Sequence, residues 1–122
     1  NNENLQAIRL LTYRDVDVVM LVFSLITKET FHTLLRNYLK EVKNFANNAA
    51  IILVGVDLEK WEKNDYNRDF VHDAELQIVS QDPDVQQILL CSYVTGENLN
   101  KISEKIVEAY QMKTNDKSCN IA

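Results

Sequence analysis

Apolar and polar residues divide this chain into alternating strand-like and helix-like segments. Val18-Val19-Met20-Leu21-Val22-Phe23 and Ile51-Ile52-Leu53-Val54 are apolar without alternation, and Ile88-Leu89-Leu90-Cys91 is a third, weaker run. Such strands need cover on both faces, as in a parallel sheet sandwiched by helices. Between the first two, Phe31, Leu34, Leu35, Tyr38, Leu39, Val42 and Phe45 recur at helical spacing, with Arg36, Lys40, Glu41 and Lys43 elsewhere on the wheel. Thr27 is the expected N-cap, its hydroxyl accepting from the first unpaired amides.

After the second strand, 59–69 reads as a polar stretch interrupted by Trp61 and Tyr66, with Trp61 packed on the domain in preference to a partner-binding insert. A helix is expected over 70–80, with Val71, Ala74 and Ile78 along one side, and Gln81-Asp82-Pro83-Asp84 is a turn. From Asn98 a final helix is expected to about Met112, with Leu99, Ile102, Ile106, Val107 and Tyr110 on one side. The order strand, helix, strand, helix, strand, helix predicts an α/β fold, a three-layer sandwich with parallel strands joined by right-handed crossovers. The expected domain covers residues 1–112, and 113–122 is a C-terminal tail. If the first strand lies at an edge, its unpaired main chain beside apolar side chains invites another strand, from chain preceding Asn1 or from a second copy.

Composition narrows the function. A chain of 122 residues has the size of one domain. Its formal charge of −5 and pI near 5.0 argue against a protein held on nucleic-acid phosphates. With 46% hydrophobic and 25% charged residues it can bury a core. Two cysteines, Cys91 and Cys119, are too few for a disulfide framework and fit a reducing, cytoplasmic setting. No basic segment followed by an apolar stretch marks a secretory signal, and no apolar run approaches the roughly 20 residues of a membrane span. Cys91, at the end of an apolar strand, reads as a core residue, and His32 and His72 lack a second ligand at metal-binding spacing.

The segment Leu11-Thr12-Tyr13-Arg14-Asp15, followed by the strand that ends Phe23-Ser24, resembles the Ras superfamily of small GTPases, of Rho type in particular. Thr27-Lys28-Glu29-Thr30-Phe31 opens the next helix as in that family, and Ile51-Ile52-Leu53-Val54-Gly55 is similar to its base-proximal strand. Cys91-Ser92 followed by Thr95-Gly96-Glu97-Asn98-Leu99 is similar to its last guanine-binding loop and final helix. The resemblance implies part of a P-loop GTPase fold that supplies the base-binding half of a GTP/GDP switch. In the complete domain magnesium accompanies the nucleotide, and the implied partners are regulatory and effector proteins.

In that alignment the chain starts just after the second switch begins, so the phosphate-binding half is expected upstream. The only glycines, Gly55 and Gly96, do not precede Lys-Ser or Lys-Thr, so no G-x-x-x-x-G-K-[ST] occurs in these residues and no catalytic residue is assigned. For the base, Asp57 matches the Asp of the family's [NT]-K-x-D loop, which accepts from the guanine edge, but Lys is absent and the loop is shorter. Ser92 matches the second loop, and Tyr93 stands where the family has Ala, whose backbone amide meets the guanine oxygen. Cys119-Asn120-Ile121-Ala122 fits C-a-a-X, so the resemblance implies a prenyl group on Cys119 and attachment to the cytoplasmic face of a membrane. Two other readings remain open: a GTPase-derived interaction module without hydrolysis, and an unrelated α/β domain of flavodoxin or receiver type.

Overall fold

In the computed structural model the described residues are 16–46, 48–63 and 67–121, with side chains described as far as Lys113. Leu11 to Asp15, Tyr66 and the Cys119 side chain of the motifs above lie outside them. Three parallel strands, β1 (Val18–Ser24), β2 (Ala50–Val56) and β3 (Val85–Leu90), form one sheet in the order β1-β2-β3. Helix α1 spans 28–45, α2 is Leu58–Lys63, α3 is Asp73–Ser80 and α4 is Leu99–Ile121. The expected α/β sandwich is therefore present.

Alternation along β2 sends Ile51 and Leu53 to one face and Ala50, Ile52 and Val54 to the other, and both sets are buried. The first face is covered by Phe31, Leu34, Leu39 and Val42 of α1, with Leu58, Val71 and Leu76. The second is covered by Leu99, Ile102, Ile106 and Ala109 of α4. Between Ile51 and Ile52 the register against β3 slips from Val85 to Gln87, a bulge that leaves Gln86 as the extra residue. The slip lets Val85 and Ile88 serve the same face, and β3 starts earlier than the apolar run 88–91 predicts.

The helices exist where periodicity places them, with changed phases and ends. Leu34–Leu39 is a π-helical stretch inside α1. A wider turn rotates the following residues relative to the 3.6-residue stripe. Tyr38 and Phe45, expected in the apolar stripe, are consequently exposed. Thr27 precedes α1 but its side chain makes no cap; the Thr30 hydroxyl bonds to the Thr27 carbonyl at 2.7 Å instead. Helix α3 begins at Asp73 rather than 70, because Val71 is held in an extended segment by its N–H to Leu25 O at 2.8 Å. Its phase is set by Leu76 and Val79, so Ala74 and Ile78 face outward. In α4, Ala109 takes the core position expected of Val107 and Tyr110. The helix passes Met112 to Ile121, over residues containing neither glycine nor proline to stop it.

Two side-chain networks tie the helices together. Glu75 Oε2 accepts the His72 N–H at 2.9 Å, its Oε1 meets His32 Nε2 at 2.9 Å, and Lys28 Nζ lies 3.8 Å away. Lys43 Nζ bonds Asp82 Oδ2 at 2.5 Å and approaches Asp84 Oδ2 at 3.7 Å. Among the described residues β1 pairs with β2 alone and so lies at an edge of the sheet. Beside that edge Met20 and Val22 are 42% and 48% exposed. Among the described residues no helix is long and apolar enough to cross a membrane.

Two predictions follow from this packing. A Cβ on Gly55 would lie 2.9 Å from Phe23 Cζ, 3.0 Å from Leu90 Cδ2 and 3.1 Å from Leu25 Cγ. Gly55→Ala is expected to cost about 1–3 kcal/mol of stability, read from urea denaturation. Burial raises the Glu75 carboxyl, but the His72 N–H, His32 and Lys28 outweigh it and hold the group below its usual range. The Lys43 hydrogen bond does the same to Asp82, against burial and with help from the Asp84 N–H. A depressed folded-state pKa contributes stability above the unfolded value and loses it as pH falls through the folded one. Urea midpoints should therefore drop as pH falls below about 4, and Glu75→Gln should flatten that drop.

Candidate functional site

In an open parallel sheet the strands' carboxyl ends lie side by side, and ligand sites form in the crevice beyond them. Here those ends carry Ser24 on β1, Asp57 directly after β2, and Cys91 and Ser92 directly after β3. The ladder runs one step past the strands to hold them: Leu25 N–H donates to Val56 O at 3.0 Å and Cys91 N–H to Gly55 O at 2.9 Å. Leu58 N–H then donates to Cys91 O at 3.1 Å, which docks the start of α2 on the end of β3.

Asp57 occupies a left-handed backbone conformation, φ 69°, unusual for any residue but glycine and most tolerated by Asp and Asn. Its carbonyl accepts from Lys60 and Trp61 at 3.2 and 3.1 Å, closing the first turn of α2. Its Oδ2 accepts the Ser24 hydroxyl at 2.8 Å. The shortened loop therefore turns straight from strand into helix, and one oxygen of the carboxylate is committed within the protein.

Ser92 is fully buried, and its loop is wired to it. Thr95 N–H donates to Ser92 Oγ at 3.0 Å, Gly96 N–H to Ser92 O at 2.9 Å, and Ser92 N–H to Glu97 O at 3.0 Å. Gly96 has φ 80° and Asn98 φ 65°, and Asn98 Nδ2 donates to Leu90 O at 2.8 Å, fixing the entry to α4. Tyr93 is 62% exposed, so its ring does not fill the crevice. Among the described residues nothing accepts its N–H.

Residues 59–69, expected to be an irregular polar stretch, contain α2 instead. Leu58 and Trp61, three apart, turn inward, and Trp61 Nε1 donates to Val71 O at 2.8 Å, which pins Trp61 to the domain as expected. The same turn carries Glu59, a residue that motif matching passed over. Both of its carboxylate oxygens are shielded from solvent, beside the Ser92 hydroxyl. The adjacent Ser92 hydroxyl, chiefly, with the main chain of Glu59 itself, holds its carboxyl below the usual range against burial. Burial above all, with the charges of Asp57 and Glu59, pushes the Cys91 thiol up, so Cys91 is an inert core residue. Among the described residues no group of three His, Cys, Asp or Glu side chains converges as a metal site.

The base of a guanine nucleotide presents two donors, N1–H and the 2-amino group, beside the acceptor O6. Beyond the strand ends stand the second carboxylate oxygen of Asp57 and the unclaimed Tyr93 N–H, a set that fits this edge in kind. Nothing in the sequence offers the glycine-rich cradle and lysine that a nucleotide's β-phosphate and magnesium require. Ser24→Ala should cost about 1 kcal/mol by removing the donor to Asp57, with Ser24→Thr largely retaining stability, as measured by urea denaturation. A family model, Ras family, matches residues 2–112.

Proposed function

The chain belongs to the Ras family, and on that premise we propose that it is the base-binding portion of a guanine-nucleotide switch of Rho type. The observation that carries the reading is the convergence of Asp57, Ser92 and the Tyr93 N–H beyond the strand ends, where the family resemblance calls for a guanine site. Its domain covers residues 1–112. Asp57, Ser92 and Tyr93 are proposed as base-binding residues, with GTP or GDP as ligand and magnesium held by groups outside these residues. Catalysis is assigned to no residue here. The Rho assignment is supported by the Phe23-Ser24 strand end and the Thr27-Lys28-Glu29-Thr30-Phe31 helix opening. Regulatory and effector proteins are the expected partners. Cys119 is the proposed prenylation site, which would bring the protein to the cytoplasmic face of a membrane.

A second reading is favoured by one observation. Ser24 already occupies one oxygen of Asp57, and no lysine precedes it, as in an interaction module derived from a GTPase that has lost its ligand. Calorimetric titration of the full chain separates the two. With base contacts and no phosphate cradle, GDP, GMP and guanosine should bind with similar affinity, unaffected by magnesium. ADP should bind at least about tenfold more weakly, the equivalent of one 1.4 kcal/mol contact. Absence of GDP binding at millimolar concentration by the longest natural chain would establish the second reading.

A further inference from the structure

We infer that Thr30, on the first turn of α1, is a positioning residue for the guanine-reading carboxylate and acts on Asp57 through Ser24. The inference rests on the guanine-binding reading above and adds to it the part of the domain that aims the acceptor. Guanine offers N1–H and the 2-amino group side by side, so a carboxylate that meets both must hold one plane. The main chain of Asp57 is committed to the turn, through φ 69° and the carbonyl that takes the Lys60 and Trp61 amides. Its side chain is held by the Ser24 hydroxyl, 2.8 Å from Oδ2. That bond leaves Oδ1 and a second lone pair of Oδ2 for a ligand.

The proton positions follow from the neighbours of each hydroxyl. Ser24 Oγ accepts from Ile26 N–H at 3.4 Å, and its own proton goes to Asp57. Ser24 is in turn clasped by the start of α1: its N–H donates to Thr30 Oγ1 at 2.9 Å, and its carbonyl accepts the Thr27 N–H at 3.2 Å. The Thr30 hydroxyl has two carbonyls within reach, Thr27 O at 2.7 Å and Ser24 O at 3.3 Å. The nearer one takes its single proton, which leaves its oxygen to accept the Ser24 N–H. Thr27, Thr30, Ser24 and Asp57 are thus joined by one chain of hydrogen bonds from the helix to the carboxylate. Thr30 is not used to cap its own helix, since it lies inside the first turn, and no side chain caps that end. Its hydroxyl turns back onto the strand end instead, an alternative that threonine offers the backbone. The helix start is anchored from its other side, where Lys28 N–H donates to Asp69 O at 2.7 Å. A shift of this turn moves Ser24, and Ser24 carries the Asp57 carboxylate with it.

The test compares GDP with IDP, whose hypoxanthine base keeps N1–H and lacks the 2-amino group. Thr30→Val preserves the shape of the side chain and removes its hydroxyl. In calorimetric titration of the full chain it should weaken GDP at least about threefold, the size of one ordinary hydrogen bond. It should also narrow the GDP-to-IDP ratio, because two donors need the carboxylate plane fixed more than one does. Thr30→Ser should restore both. In an Asp57→Gly background, which keeps the left-handed turn and removes the carboxylate, Thr30→Val should change GDP affinity by less than about twofold. A ratio that Thr30→Val does not move, or an equal loss in both backgrounds, makes Thr30 a merely structural residue. Either result overturns the inference and leaves the guanine-binding reading intact. If neither nucleotide binds the unmutated chain, that reading fails and takes the inference with it. The coupling itself is read without nucleotide, from the urea midpoints of Thr30→Val, Asp57→Gly and the double variant. Their losses should fall short of additivity, and additive losses would mark two independent sites and overturn the relay.

Discussion

The site depends on β2 being hydrogen-bonded on both sides to its last residue. Because the ladder continues through Leu25 N–H to Val56 O and Cys91 N–H to Gly55 O, three strand ends that are distant in sequence finish in one row. Gly55 is the residue that permits it. Phe23 and Leu90 are its register partners on either side, and their side chains close over the space where a Cβ would stand. A larger residue would spread the strands just where Ser24, Asp57 and Ser92 must meet. The chemistry of the crevice is thus a consequence of backbone spacing first and of side-chain identity second.

That order explains what was legible in the sequence. The strands could be read because two-sided burial writes itself as an uninterrupted apolar run, and 18–23 and 51–54 fall inside β1 and β2. Helix positions were legible from period, but phase was not. The wide turn over Leu34–Leu39 has no clear signature in residue type, and it moves Tyr38 and Phe45 out of a stripe that assumes constant pitch. In α3 the phase depends on where the helix starts. That in turn depends on the long-range bond from Val71 N–H to Leu25 O, a contact no local window contains. Small residues hide from such readings as well: Ala109 is fully buried in α4, while bulkier Val107 and Tyr110 are outside.

The candidate site shows the same division. Asp57 and Ser92 were visible because each follows a strand at a position with a family counterpart, and both stand at the strand ends. The helical turn over Leu58–Lys63 was missed because its segment is charged and was read as irregular. The spacing of Leu58 and Trp61, three apart and both inward, was the available sign of a helical turn that would carry Glu59 with it. A match by residue type selects the aspartate. Only the hydrogen-bond accounting shows that Ser24 engages one oxygen of Asp57 and that the Ser92 hydroxyl stands beside Glu59.

The two edges of the sheet extend this accounting to the backbone. On β3 the Leu90 carbonyl is taken by Asn98, and Lys101, Glu104 and Lys105 line the cleft beside the strand, which are ordinary means of discouraging a further strand. On β1 only the last residue is closed in this way, Ser24 N–H donating to Thr30 Oγ1 at 2.9 Å and its carbonyl accepting the Thr27 N–H at 3.2 Å. The strand is seven residues long, apolar up to Ser24, and presents Met20 and Val22 half-exposed on the face that α4 covers elsewhere. Main-chain groups left open beside apolar side chains are disfavoured in water, and a strand added there would pair the first and shelter the second. The base-side crevice lies at the end of this same strand, through Ser24. Ser24, the donor that holds Asp57, is itself fixed by Thr30 and Thr27, so the open part of the edge stops short of the crevice and the geometry of the site is set from within the domain.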